Sequence, residues 1–445
     1  MKATDTIFAV SSGRGRAGIA VVRLSGTACL QVVKDVAGLT PVARHAHYVA
    51  LCDPASSDII DKGLVLFFPG PATVTGEDVA EFHVHGSAAI VQKLFDVFRC
   101  YNDLRLADAG EFTRRAFGHG KVDLVEVEGL ADLLAAESEP QRKLAMRQFL
   151  GEASTIYNSW RSRLVTAIAM IEAVIDFSDE AGVTDAALSQ MRPQMQLLLS
   201  ELDGALEKSS RVRAIRNGVR FVIGGPPNAG KSTLLNLLAD REAAIVSPVA
   251  GTTRDVIEAV ALIGGIAVSL IDTAGVRVGA TDEIEVEGIA RAQKQFDGAD
   301  VLVWMVAADA TGPCPAGAVP DLILFNKLDL GTETLIQVRN ESNGVPVLGV
   351  SLKTGEGVGA AKEWMNVLLV EKFSDIEDAV VVRERHFDSV QNAAALLRAL
   401  LGSDHQIELM ADELRQAARH LASITGRVDV EDFLGRIFSE FCIGK

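Results

Sequence analysis

The chain has 445 residues, and 43 Lys and Arg against 59 Asp and Glu leave a net charge of −16. At about 150 residues per domain this length holds roughly three domains; 48% hydrophobic and 23% charged residues exclude a disordered acidic chain or a fibre. Such an acidic protein does not grip nucleic acid over its whole surface, which leaves local basic groups such as Arg14, Arg16 and Arg23, or Arg211, Arg213, Arg216 and Arg220.

The opening Met1 to Thr6 lacks the apolar core of a signal peptide. The longest apolar run, Val301 to Ala308, is too short to cross a membrane, so a cytoplasmic protein without membrane attachment is expected. The five cysteines are scattered and form no C-x-x-C pair, which argues against a disulfide framework or a zinc site.

Residues 1–118 carry β-branched stretches at Thr6 to Val10, Ile19 to Leu24, Gly63 to Phe68 and Val79 to Val84, separated by turn residues, and read as an α+β domain. Within it Gly13 to Gly18 matches G-x-G-x-x-G, but the following Ile19 to Arg23 reads as strand, where a dinucleotide site needs a helix. His45/His47 and His83/His85 each share a strand face without a third ligand, so no metal is expected. Residues 119–216 change to helical spacing, in which Leu130, Leu133 and Leu134, then Leu164, Ile168 and Ile171, then Met195, Leu198 and Leu202 indicate three long amphipathic helices.

Across 217–371 short apolar runs alternate with helical stretches, as in a doubly wound parallel sheet. Gly225 to Ser232 matches G-x-x-x-x-G-K-[ST] between a candidate strand, Val219 to Ile223, and a candidate helix from Ser232. There the N–H groups of Asn228, Ala229, Gly230 and Thr233 suit phosphate, Lys231 reaches the β/γ oxygens, and Ser232 can bind Mg²⁺. Asp272-Thr273-Ala274-Gly275 follows a second strand, where Asp272 can hold magnesium through water and Gly275 can sense a γ-phosphate. Asn326-Lys327-Leu328-Asp329 follows a third, and Asp329 can accept from the N1–H and amino group of guanine, where adenine offers an acceptor. Three motifs in this order at strand ends indicate a guanine-nucleotide site for GTP and GDP. Ser351-Leu352-Lys353 resembles the last guanine loop of such domains, although Leu352 replaces the usual alanine.

Small GTPases place a water-orienting glutamine after the D-x-x-G glycine; here that residue is Val276, and Asp282, Glu283, Glu285 and Glu287 are the acidic candidates nearby. No arginine finger is evident in Ser247-Pro248-Val249-Ala250-Gly251-Thr252-Thr253-Arg254-Asp255. A monovalent cation on those carbonyls and Asn228 would supply the missing charge. Residues 372–445 return to helical spacing, so the G domain is inserted into a discontinuous helical domain.

With these motifs, Gly251-Thr252-Thr253-Arg254-Asp255 and the ending Phe441-Cys442-Ile443-Gly444-Lys445, the whole chain resembles the MnmE/TrmE family. The resemblance implies a multidomain α+β and α/β protein: an N-terminal folate-binding domain, a discontinuous helical domain and an inserted Ras-like P-loop G domain. It implies potassium-stimulated GTP hydrolysis, a homodimer, the flavoprotein MnmG in a heterotetramer, and 5-formyl- or methylene-tetrahydrofolate as one-carbon donor. The product is an aminomethyl or carboxymethylaminomethyl group on C5 of wobble uridine 34 of certain tRNAs. Carried over by motif, K⁺ falls on Asn228, Ser247, Val249 and Thr252, Mg²⁺ on Ser232 and Thr253, the water-orienting acid is Glu285, and folate falls on Arg23, Glu81, Lys121 and Lys445. Cys442 either caps a helix end or joins Lys445 in the one-carbon site. The competing reading is a regulatory GTPase switch, in ribosome assembly or stress, without modification chemistry. A folate-binding N-terminal domain separates the two.

Overall fold

The computed structural model describes residues 5–445 apart from 14, 177–182, 240–257, 273–294, 311, 313, 315–317, 343, 374–378, 403–405, 429–433, 436, 439–440, 442–443 and 445. The chain forms two compact units, Met1–Ala131 with Arg147–Asp179 and Gln406–Lys445, and Asp132–Met146 with Glu180–His405. Among the described residues no helix is long and apolar enough to cross a membrane.

The first unit begins with β1 (Thr6–Val10), β2 (Ala17–Ser25), α1 (Cys29–Ala37), β3 (His47–Cys52), β4 (Ile59–Phe68), β5 (Val79–Gly86), α2 (Ala88–Arg99), β6 (Leu104–Leu106) and α3 (Glu111–Gly118). The strands form one six-stranded sheet in the order β3-β4-β5-β2-β1-β6, in which only β1 and β6 run parallel. Alternation splits the two faces: Val22, Leu24, Ala80 and Phe82 are buried with Val32, Val33, Leu94 and Phe98 of the two helices. Arg23, Glu81 and His83 therefore point to the other face. β1 matches the expected bounds; the edge strand β3 and the first three helices were not read from the sequence.

Four helices follow where three were expected: α4 (Leu124–Ala135), α5 (Glu139–Phe149), α6 (Glu152–Asp176) and α7 (Val183–Asn217). Reciprocal caps explain the extra start. Ser138 N–H donates to Gln141 Oε1 at 3.0 Å and Gln141 N–H to Ser138 Oγ at 3.5 Å, and Asp123 and Glu126 cap α4 in the same way at 2.7 and 3.0 Å.

The second sheet contains β7 (Val219–Gly224), followed by α8 (Lys231–Ala239), β8 (Glu258–Ile263), β9 (Ile266–Asp272), β10 (Val301–Ala307) and β11 (Leu322–Asn326). It continues with α9 (Glu333–Glu341), β12 (Val347–Gly349) and α10 (Val358–Phe373). The order β12-β11-β10-β7-β9-β8 is parallel except at the edge strand β8. Every residue of β10 is buried, as expected of a strand covered on both faces.

The last long helices are α11 (Glu384–Gly402) and α12 (Ile407–Ile424). α12 packs along α6 in the first unit, and α11 along α7 in the second. Within the second unit Asp132 accepts Arg216 Nε and Nη2, both at 2.9 Å, and Arg383 Nη2 at 2.7 Å. One carboxylate thus holds the end of α7, just before β7, and the residue that leads into α11.

Candidate functional site

Five parallel strands, β7, β9, β10, β11 and β12, deliver their C-terminal ends to one side of the second sheet, the position at which doubly wound folds bind ligands. β7 runs into the Gly225 to Lys231 loop, and β9 ends at Asp272, the register partner of Ile223. β11 ends at Asn326, and β12 leads to Ser351. A cavity of about 930 Å³ opens there, lined by Asn228, Gly230, Lys231, Asp309, Lys327 and Asp329 among others.

The loop is held in shape before any phosphate is considered. Asn228 adopts a left-handed conformation, φ 63°. Lys231 is 6% exposed, and its ammonium donates to the carbonyls of Gly225 and Pro226, both at 2.8 Å, so phosphate oxygens would compete with its own loop. Gly230, φ 105°, has no room for a side chain: a Cβ would lie 2.4 Å from Asn326 Nδ2. Ser232 and Thr233 are exposed at the start of α8, the positive end of the helix dipole, which favours an anion.

Asn326, 4% exposed, ties three segments together. Its Nδ2 donates to Ala229 O at 2.8 Å, and its Oδ1 accepts the Leu352 N–H at 3.1 Å. Leu352 therefore serves through its backbone, which is why a leucine can replace alanine. Ser351, fully buried, donates its hydroxyl to Asp329 Oδ1 at 2.7 Å and holds that carboxylate beside the cavity, with Leu328 and Lys353 in the flanking loops. Lys327, also left-handed at φ 62°, pairs with Asp309 at 2.6 Å, and this bond holds the Asp309 carboxyl below its ordinary range. Asp309 was not foreseen, although its place just beyond β10 matches the strand-end rule that found the others.

Ser247, Pro248, Val249, Ala250, Gly251, Thr252, Thr253, Thr273, Ala274, Gly275 and Glu285 lie outside the described residues, as do Cys442 and Lys445.

On the other face of the first sheet, which α3 partly covers through Phe112, Arg23 and Glu81 are register partners on β2 and β5. Arg23 reaches Glu81 Oε1 with Nε at 2.9 Å and Nη2 at 2.8 Å, and its guanidinium lies 6.0 Å from the centre of the Phe112 ring. His83 Nε2 lies 3.1 Å from Glu81 Oε2. Burial pushes the Glu81 carboxyl up, but the His83 hydrogen bond and the Arg23 charge outweigh it and leave it below the ordinary range. Lys121 is exposed just after α3, with its N–H on Ala116 O at 2.9 Å. The C-terminal tail reaches the same sheet: Ser11 Oγ donates to Gly444 O at 2.9 Å, one step beyond β1, whose Ala9 pairs with Arg23. Gly444, φ 105°, is needed there, since a Cβ would lie 2.0 Å from Val10 O.

Two family models match the chain, "GTP-binding protein TrmE N-terminus" over residues 6–121 and "MnmE helical domain" over residues 124–442. The curated protein of Azorhizobium caulinodans named tRNA modification GTPase MnmE is 45% identical over 445 residues, covering 100% of both chains. Its namesake from Parvibaculum lavamentivorans is 44% identical over 450 residues, covering 99% of this chain and 100% of the other. The one from Brucella anthropi is 43% identical over 445 residues, covering 99% and 98%.

Proposed function

Because this chain belongs to the MnmE family of tRNA modification GTPases, we propose that it hydrolyses GTP in a potassium-stimulated cycle that drives one-carbon modification of wobble uridine 34. The observation that carries the nucleotide half is one cavity lined by both Lys231 and Asp329. Lys231 and the N–H groups at the start of α8 bind and orient the phosphates, and Asp329, fixed by Ser351, accepts from guanine and repels adenine. Ser232 with Thr253 would hold Mg²⁺, and Asn228 with Ser247, Val249 and Thr252 would hold K⁺. The cations supply positive charge against the β/γ bridge in place of an arginine finger, and Glu285 orients the attacking water.

In the first unit the donor set fits a tetrahydrofolate. An ionised Glu81 suits the donor-rich pterin edge, while Arg23, Lys121 and Lys445 suit the anionic tail. The folate supplies the one-carbon unit. Docking of Gly444 on β1 supports a place for the terminal residues, Cys442 among them, at that site. The chain then acts as a homodimer through residues 1–118, with the flavoprotein MnmG and tRNA as partners.

Initial GTPase rates in KCl and NaCl at equal ionic strength test the nucleotide half. A rate several-fold higher in KCl is expected, and equal rates would overturn the cation cage.

A further inference from the structure

Arginine and carboxylate usually meet fork to fork, each nitrogen of the pair on its own oxygen. The Arg23–Glu81 pair does not: both close approaches fall on Oε1, and Oε2 is taken by His83. His83 lies two residues along the same strand, so β alternation sets it on the same face. Its register partners are Val21 on β2 and Leu64 on β4. Glu81 is held ionised, so the carboxylate is the acceptor, and His83 carries its proton on Nε2 and donates.

We propose that His83 is a positioning residue of the folate site, holding Glu81 out of a closed fork with Arg23 so that the carboxylate is presented to the ligand in a fixed orientation. Without His83, Glu81 turns its second oxygen to Arg23. The same two Arg23 nitrogens are then engaged, but the carboxylate turns into the plane of the guanidinium, and Oε2 is no longer aimed at the pterin N–H and amino group. With His83 in place, Oε1 takes both Arg23 nitrogens and Oε2 keeps its second lone pair, at a fixed angle, for a ligand. The exposed Leu64 beside His83 offers apolar surface to a flat heterocycle. The inference rests on the folate reading above and extends it by one residue.

The test is the affinity of the full chain for 5-formyltetrahydrofolate, measured by calorimetry on the wild type, His83→Ala, His83→Gln, Glu81→Gln and Arg23→Ala, with the melting temperature as a check of folding. His83→Ala should bind about tenfold more weakly or worse, the loss expected of a hydrogen bond to a charged group. His83→Gln, whose amide can donate to the same oxygen, should stay within about threefold of the wild type. Wild-type affinity in His83→Ala while Glu81→Gln loses binding would overturn the role of His83 and leave the folate reading standing. Equal loss in His83→Ala and His83→Gln would also overturn it, because the hydrogen bond would then not be what matters. Wild-type affinity in both Glu81→Gln and Arg23→Ala would overturn the folate reading itself, and this inference with it.

Discussion

Ser351, itself fully buried, holds Asp329 through one hydrogen bond. Removing its hydroxyl leaves the carboxylate without its fixed partner, at a cost of about 1.5–3 kcal/mol for a hydrogen bond to a charged group. Ser351→Ala is therefore expected to weaken GDP binding by roughly tenfold or more, as read from fluorescent-nucleotide titration; unchanged affinity would mean that Asp329 is oriented by the loop alone. The phosphate and guanine motifs were legible because their residues are consecutive in the sequence. Asp309 and His83 were not, because the partner of each is set by strand ends and sheet faces that only folding brings together. His83 was weighed as half of a metal pair with His85, whereas its partner is Glu81, and His85 bonds Asp61 of β4 at 2.8 Å.

Strands buried on both faces declared themselves as apolar runs, so β1 and β10 stand within a residue of their expected bounds. Edge strands β3 and β8 carry comparable apolar runs, Tyr48 to Cys52 and Ala259 to Ile263, and were missed all the same; the breaks between the central helices depend on caps, a local choice that periodicity does not record. Long-range ion pairing is equally silent in the sequence. Glu111, at the start of α3, is fully buried and accepts Arg105 Nη2 at 2.6 Å and Arg115 Nη2 at 3.2 Å. Arg115 in turn donates to Glu77 and to the carbonyl of Asp5, which locks α3 to the sheet. Burial pushes the Glu111 carboxyl up, but Arg105 and the Asp108 N–H pull it down further, to about 2 from 4.5. A carboxyl lowered on folding stabilises above its unfolded value and loses that contribution as pH falls through its folded value, here between about pH 5 and 2. Glu111→Gln should lower the opening free energy of the β1 and α3 amides by roughly 3 kcal/mol at neutral pH. Amide exchange should show the gap closing as the pH approaches 2; a gap constant with pH would contradict the linkage.

At the scale of the whole chain, the order of segments was readable, since an α/β pattern interrupts a helical one. Which long helices pair was not, because amphipathic spacing shows that a helix has a partner and not which one: α12 goes to α6 in the first unit, and α11 to α7 in the second. If the nucleotide cavity and the one-carbon site serve one modification reaction, the modified nucleoside reports on both. The measurement is mass spectrometry of tRNA nucleosides from cells lacking the protein, complemented with the wild type or with Lys231→Ala. C5-modified wobble uridines should disappear in the deletion, return with the wild type, and stay absent with Lys231→Ala; wobble uridines unchanged in the deletion, or restored by Lys231→Ala, would refute a shared reaction.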